Sequence, residues 1–364
     1  MSTLQRWLIF AAVIVVGMMS IITWRFLAAA GYFTAIKLEV TAECSPIAAP
    51  PGPEDIEIDR ARGLAFVAAS DRRALMAGSK AARGGIYVID LTAPADHWQL
   101  RPVTASEPAD FHPHGLSLYT GADGARRLFV VNHRSDKTEA VEIFDIAEDG
   151  TLSHVRSVTD PLLVSPNDVV AVGPDSFYAT NDHSTGNKTR SMIEDVLLSI
   201  KSNVVYFDGA KMSVATNRLA FANGINKSAD GKTIYVSESL GLSLHVYARD
   251  LDTGVLTQTD YTQLGTSLDN IDVLEDGALL IAAHPKVTSF ISHVNDASEL
   301  SPSQVLRVEF AKGGGGKAGT IYLNLGKEIS GATVAAGYRD VMLLGNAYDP
   351  DILVCKQSKE IKGY

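Results

Sequence analysis

The chain has 364 residues, 46% of them apolar, and a formal net charge of -10. That is enough for one large domain or two ordinary ones, with ample material for a core. The acidic balance and the lack of a basic stripe exclude a nucleic-acid surface and suit a site built from carboxylates.

The first thirty residues differ in kind from the rest. WLIFAAVIVVGMMSIITW, Trp7 to Trp24, carries no charge and has tryptophan at both ends. A run of 18 such residues just reaches the length of a membrane-spanning helix, and flanking tryptophan suits the interface. A cleaved signal peptide is the competing reading, because Ala28-Ala29-Ala30 resembles a small-residue cleavage site. The apolar run is long for that purpose, so an uncleaved signal-anchor is favoured. Arg6 and Arg25 flank the run on either side and do not orient it. In both readings the remainder is exported, either anchored to a membrane or secreted. Cys44 and Cys355 fit an oxidising compartment, where they can join the ends of the folded part. Two unrelated buried thiols are the alternative. A bridge would close a loop of about 310 residues, for which the chain-entropy model gives roughly 5 kcal/mol as an upper estimate.

Beyond this leader a pattern recurs. PEDIEIDRARGLAFVAAS begins at Pro53, HGLSLYTGADGARRLFVVNH at His114 and SPNDVVAVGPDSFYATNDH at Ser165. ANGINKSADGKTIYVSES follows at Ala222, LDNIDVLEDGALLIAAH at Leu268 and SGATVAAGYRDVMLLGNAYD at Ser330. Each unit holds a polar or small doublet, a short alternating run, a turn often written Asp-Gly, and a second apolar run ending in polar residues. The spacing of the doublets is roughly 45 to 60 residues, which marks a repeat architecture. GIYVIDL, AVEIFDI, VVYFDG, SLHVYARD and VLRVEF lie between the units and read as outer strands. Six units of about four strands make an all-β, six-bladed β-propeller. IEDVLLSIKS, residues 193–202, has helical spacing and reads as an insertion after the third unit's second strand. The predicted organisation is a hydrophobic helix in 1–30, a linker in 31–43, the propeller in 44–357 and a tail in 358–364.

In a propeller the first strand of each blade lines a central channel. The six doublets then form a ring: Glu54-Asp55, His114-Gly115, Asn167-Asp168, Asn223-Gly224, Asp269-Asn270 and Gly331-Ala332. Turn chemistry is the competing reading for Asn and Asp at such places, but it does not require them to converge. Four carboxylates and three carboxamides that do converge repel unless a cation cancels the charge. All the donors are oxygens, and calcium takes six to eight of them, side-chain amides included, whereas magnesium keeps more water. A purely structural ion is the competing reading of that site.

His114 belongs to the ring by the same register, and His133 ends the second strand of the same unit. Adjacent antiparallel strands bring two such imidazoles together. With oxygens enough for calcium, His114 is free to take a proton from water and His133 to relay it. His183 and His284 also end second strands and belong near the same mouth. His97, His112, His154, His245 and His293 carry no special claim.

At this point the motifs match a family. PEDIEI, PHGLS, VVNH, PNDVVAVGPDSFYATNDH, FANGIN, LDNI, AAHP and the closing Cys355 occur in the expected order over about Cys44 to Cys355. In them the chain resembles the serum paraoxonase/arylesterase family of calcium-dependent lactonases, whose fold is a six-bladed propeller with two calcium ions in its tunnel. The resemblance implies a catalytic calcium on Glu54, Asn167, Asn223, Asp269 and Asn270. It implies a deeper structural calcium on Asp55, Asp168 and the backbone carbonyl of Leu116. It also implies a His114–His133 dyad, a further pair Asp182 and His284 linked to some activities, a Cys44–Cys355 disulfide and a retained N-terminal hydrophobic segment. Because side chains alternate along a strand, Asn167 and Asp168 are expected to point apart and serve different ions, as Glu54 and Asp55 would.

The function so implied is hydrolysis of lactones and aryl esters, with phosphotriesters possible at the same centre. The partners would be a small lactone or ester substrate and, through the helix, a membrane. A non-catalytic calcium-stabilised binding propeller is one alternative. A propeller acting on sugar lactones is another, although PHGLS and VVNH fit it less well. One segment departs from the family pattern. SDRRALMAGSKAARGG, residues 70–85, is basic through Arg72, Arg73, Lys80 and Arg83, and it lacks the aromatic residues of the family's flap. It reads as a solvated loop in preference to a lid that favours acidic substrates. Asn187-Lys188-Thr189 and Asn226-Lys227-Ser228 are glycosylation sequons, meaningful only in a eukaryotic secretory pathway.

Overall fold

In the computed structural model six sheets stand around a common channel, one for each repeat unit. The structure describes residues 2–36, 40, 42–79, 81–310 and 315–356. The expected tail at 358–364, parts of the linker, and Lys80 lie outside the described residues.

Each sheet is built on a run of sequential antiparallel strands; the second blade adds a fifth, Thr104–Ser106, paired parallel to Leu152–Val158. The innermost strands are Pro53–Asp59, Pro113–Thr120, Pro166–Ala171, Ala222–Lys227, Ser267–Val273 and Ala332–Tyr338. The strands read as outer are in fact third from the channel. Outside them lie, for example, Leu256–Gln263 and Gly316–Asn324. The second strands, such as Leu64–Ser70 and Leu279–His284, are buried throughout. Strands covered on both faces need continuous apolar runs rather than alternation.

The core is divided among the blade interfaces. Phe66, Phe111, Leu128 and Phe144 fill the space between the first two blades. Phe129, Phe177 and Phe207 fill the next. Tyr178, Ile225 and Val236 fill the third. Clusters around Leu268 and Leu306, around Tyr322 and Leu344, and around Ile56 and Val334 complete the circle.

The ring closes inside one blade. Cys44–Ala48 pairs antiparallel with Asp351–Lys356, so the chain's first strand is the outermost of the sixth blade. Cys44 sits opposite Cys355 and is bonded to it. The disulfide therefore joins two neighbouring strands of the last blade rather than the first blade to the last.

Among the described residues four α-helices decorate the sheets. The first, α1 (Thr3–Ala29), is capped by Ser2 and Gln5 and is exposed along almost its whole length. By length and composition it is apolar enough to cross a membrane. Its end is seated on the body: buried Ala30 accepts a hydrogen bond from the Thr288 amide, and Gly31 has φ +68° hard against Pro285. A short turn, α2 (Arg72–Met76), is capped by Asp71. The insertion helix, α3 (Lys188–Val196), starts at its cap Asn187 and stops before Leu198, which adopts φ 49°. It starts five residues before the 193–202 window and overlaps only its first four residues, and the window's last residue already starts a strand. The last helix, α4 (Val287–Asn295), presents Val287, Phe290 and Ile291 at helical spacing.

Candidate active site

Five of the six doublets fall on irregularities of the inner strands; in the sixth blade the irregular residue is Thr333, just after the expected Gly331-Ala332, and its Oγ1 donates to the Glu54 carbonyl at 2.7 Å. Pairing between the first and second strands shifts register between Pro53 and Asp55, Pro113 and Leu116, Pro166 and Val169, Ala222 and Ile225, Leu268 and Ile271, and Ala332 and Val334. A bulge frees residues from the ladder and re-aims their side chains. Simple alternation is therefore not what separates Asn167 from Asp168. The bulges also bring neighbouring blades into contact. A Cβ on Gly115 would lie 2.6 Å from the Asp168 Cα, and one on Gly224 would lie 2.7 Å from the Asn270 Cα. Only glycine permits that approach.

The expected site residues divide into two groups by their bonding. Asp55 and Asp168 are tied into the frame. Asp55 accepts the Ile56 amide at 2.8 Å and the Leu116 amide, one blade on, at 2.6 Å. Asp168 accepts Val169 at 2.7 Å and Ile225, again one blade on, at 2.8 Å. Burial pushes both carboxyls well above the usual range, and for Asp55 the neighbouring Asp168 and Glu54 charges add to the effect.

The second group is buried yet incompletely bonded. Glu54 Oε2 and the Oδ1 atoms of Asn167, Asn223 and Asn270 lack hydrogen-bond partners among the described residues. Their other atoms are fixed: Asn270 Nδ2 donates to Glu54 Oε1 at 3.1 Å, and Asn223 Nδ2 to Ser239 Oγ at 2.9 Å. Asp269 Oδ2 meets His284 Nε2 at 2.7 Å, and burial raises its carboxyl. Burial works on Glu54 in the same direction, but His114, Arg72 and Asn270 outweigh it and hold this carboxyl at about 2. Buried polar atoms normally find a partner, so four orphan oxygens among a few residues call for one. Among the described residues no three His, Cys, Asp or Glu side chains group to hold a metal. The oxygens left open are mostly carboxamides, a donor set that fits calcium.

Beside these oxygens lies a chain of imidazoles. His114 Nε2 is 3.4 Å from Glu54 Oε2, and His114 Nδ1 is 2.8 Å from His133 Nε2. His133 Nδ1 is 2.7 Å from Glu139 Oε2. The two histidines expected to approach do so. Glu139 was not foreseen, although the hairpin VVNHRSDKTEAVEIF carries the signal: His133 and Glu139 are directly opposed across it.

Asp182 and His284 take different partners. Asp182 bonds Ser165 and His183, whereas His284 bonds Asp269 and lies against Phe290, ring centres 4.2 Å apart. His183 is clamped between Asp182 at 2.7 Å and Asp195 of α3 at 2.8 Å. Burial opposes its charge, but the two carboxylates outweigh burial and raise the imidazole to about 10. The clamp holds the insertion helix beside the mouth. There a cavity of about 220 Å³ is lined by Asn223, Asp269 and His284 together with Phe26, Phe221, Phe290 and Ile291. Phe26 comes from α1, so the hydrophobic helix contributes a wall.

The basic segment is not simply solvated. Arg72 Nη1 donates to the carbonyls of Gly52 and Ala347, and its Nη2 lies 3.8 Å from Glu54 Oε2. Arg73 donates to Asp349 at 2.8 Å and to the His293 carbonyl at 2.8 Å. Arg72 thus reaches the site, whereas Arg73 ties the segment to the last blade and to α4. Of the two sequons, Asn187 is exposed, whereas Asn226 is part-buried and donates to the Ile271 carbonyl at 2.7 Å.

Comparison with known proteins decides the family. A family model described as arylesterase matches residues 50–356. The chain belongs to the arylesterase family, and is an enzyme. Serum paraoxonase/arylesterase 2 of Rattus norvegicus is 34% identical over 301 residues, covering 82% of this chain and 84% of that protein. Serum paraoxonase/arylesterase 1 of Homo sapiens is 33% identical over 302 residues, with the same coverage of 82% and 84%. Among solved structures, a luciferin-regenerating enzyme superposes with TM-score 0.55 at 11% identity, over 89% of this arylesterase-family chain and 98% of that one. The periplasmic gluconolactonase of Pseudomonas aeruginosa gives TM-score 0.51 at 16% identity, over 86% and 84%. At such identities these two show the shared propeller fold.

Proposed function

We propose that this arylesterase-family protein is a calcium-dependent hydrolase that opens lactones and cleaves aryl esters, with phosphotriesters as further substrates. The observation that carries the reading is the set of unpartnered oxygens on Glu54, Asn167, Asn223 and Asn270 beside the His114–His133 pair. Those four residues and Asp269 would hold a catalytic calcium. Asp55, Asp168 and the Leu116 carbonyl would hold a second, structural one. A bound calcium supplies Lewis-acid polarisation of the substrate carbonyl. The protein supplies the rest. His114 Nε2 takes a proton from water, which attacks the carbonyl carbon. The proton moves on through His114 Nδ1 to His133 Nε2. The apolar walls from Phe26, Phe221, Phe290 and Ile291 receive the hydrocarbon part of the substrate and exclude water from it. Opening a lactone in this way yields a hydroxy acid.

α1 is read as a retained anchor that holds the 44–357 propeller at a membrane on the exported side. The experiment that tests the function is hydrolysis of a lactone and aryl-ester panel before and after exhaustive treatment with a calcium chelator. Turnover is expected to vanish and to return on adding calcium. Activity that survives calcium removal with the fold intact overturns the reading. Loss of turnover in His114→Gln with calcium binding retained separates it from a non-catalytic binding propeller.

A further inference from the structure

Glu139 is held against His133 by backbone register. It opens the third strand of the second blade, Glu139–Ile146, and His133 closes the second, Arg126–His133. The two are direct cross-strand partners. Directly opposed residues of an antiparallel pair share a face with their Cβ atoms about 5 Å apart. The carboxylate thus meets Nδ1 without depending on a long flexible reach.

Counting protons along this chain gives it a direction. Three contacts run from Glu54 through His114 and His133 to Glu139, at 3.4, 2.8 and 2.7 Å. Two neutral imidazoles carry one N–H each, so they can fill two of the three. A bare nitrogen against a carboxylate at 2.7 Å would be repelled, so one proton sits on His133 Nδ1, donated to Glu139. His133 Nε2 is then bare and accepts from His114 Nδ1. Where a cation on Glu54 answers that carboxylate's charge, as the hydrolase reading requires, His114 Nε2 is left without a proton at the longest contact.

We propose that Glu139 is a positioning residue that sets the tautomer of both histidines, so that the bare nitrogen of His114 faces the reacting water. The inference rests on the hydrolase reading above. When His114 Nε2 takes a proton from water, its Nδ1 proton passes to His133 Nε2. His133 is then an imidazolium against the Glu139 carboxylate, and the hydroxide adds to the carbonyl. Without Glu139 the order can reverse: His133 protonated on Nε2 donates to His114 Nδ1, and the His114 proton sits on Nε2, where no base remains. A carboxylate behind an imidazole performs this task in hydrolytic triads, where losing it leaves the wrong tautomer.

The test uses the full chain in detergent with saturating calcium and phenyl acetate as substrate. Glu139→Gln and Glu139→Leu are expected to lower kcat by about 10- to 100-fold while KM stays within about twofold, the range seen when an orienting partner of a histidine is lost. Glu139→Asp is expected to recover part of the loss. Nitrogen-15 NMR of the unsubstituted protein is expected to find His133 protonated on Nδ1 and bare on Nε2. In Glu139→Leu that distribution shifts toward Nε2. Unchanged kcat in Glu139→Leu, where His114→Gln abolishes turnover, overturns the inference and leaves the hydrolase reading standing. So does an Nε2-protonated His133 in the unsubstituted protein. If His114→Gln itself leaves turnover intact, the hydrolase reading fails instead, while the NMR result still reports the tautomer.

Discussion

Glu54 and Glu57 lie on one inner strand, yet they meet opposite conditions. Around Glu54, the buried oxygens of Asn167, Asn223 and Asn270 have no partners. Around Glu57, further along the channel, charge is answered within the protein. Arg60 gives both oxygens of Asp272 a hydrogen bond, at 2.6 and 2.7 Å, and the Gly337 amide adds a third at 2.8 Å. Burial pushes Glu57 up to about 7, helped by Asp272, while Arg60 and Lys227 pull it back. Buried carboxylates line both stretches. What differs is whether the fold has already spent their bonding capacity, and only the unspent stretch is poised to bind something from outside.

That contrast can be broken at several points. The largest effect is expected at the open stretch. Glu54→Gln should lower kcat/KM by about a thousandfold, roughly 4 kcal/mol, since it would weaken the proposed metal site. Asn167→Ala should follow the same course with little change in melting temperature. Kinetics and thermal melts at saturating calcium check both. Next comes Asp168→Ala, which strands the amides of Val169 and Ile225 in the interior. It should cost about 2–4 kcal/mol of stability before any effect on chemistry, measured by denaturant unfolding. Equal and mild effects at Asn167 and Asp168 would erase the distinction between them. At the closed stretch Asp272→Ala leaves Arg60 and the Gly337 amide unanswered. A loss of about 2–4 kcal/mol with unchanged kcat is expected, because a partly buried charge is left unpaired.

The smallest effect concerns the mouth. His183 has its proton affinity raised to about 10 by Asp182 and Asp195, against an ordinary value of 6.5. A group raised on folding stabilises fully below its unfolded value, and that contribution is lost as pH rises through the folded one. The α3 clamp is therefore complete below about pH 6.5 and released toward pH 10. His183→Gln should remove about 1–2 kcal/mol and flatten the dependence, with hydrogen exchange over residues 187–197 as the measure.

Much of this frame was legible because a repeat multiplies its own signal. Five polar doublets and one small one before six apolar runs marked the channel, and the second-strand histidine pointed to the candidate site. Three features were not legible for a common reason: each depends on what another segment does. The bulges that aim Asn167 and Asn223 inward leave no local pattern. Arg72 reads as a loop residue until the carbonyls of Gly52 and Ala347 are placed beside it. The strand Cys44–Ala48 belongs to the last blade, although every nearby residue belongs to the first. By contrast α4 was legible and unread. Val287, Phe290, Ile291 and Val294 follow helical spacing.

That borrowed strand sets an order of events for the growing chain. Five blades are each built from one continuous stretch and need only local pairing, which is quick. The sixth must wait, because Cys44 emerges 311 residues before its partner. Until then the strand Cys44–Ala48 stands as an unpaired edge, exposed to the wrong neighbours. α1 ends 15 residues upstream and, in the proposed anchored form, would keep that edge near one place while the rest of the ring is made. The disulfide then acts as a latch applied after assembly rather than a scaffold laid before it.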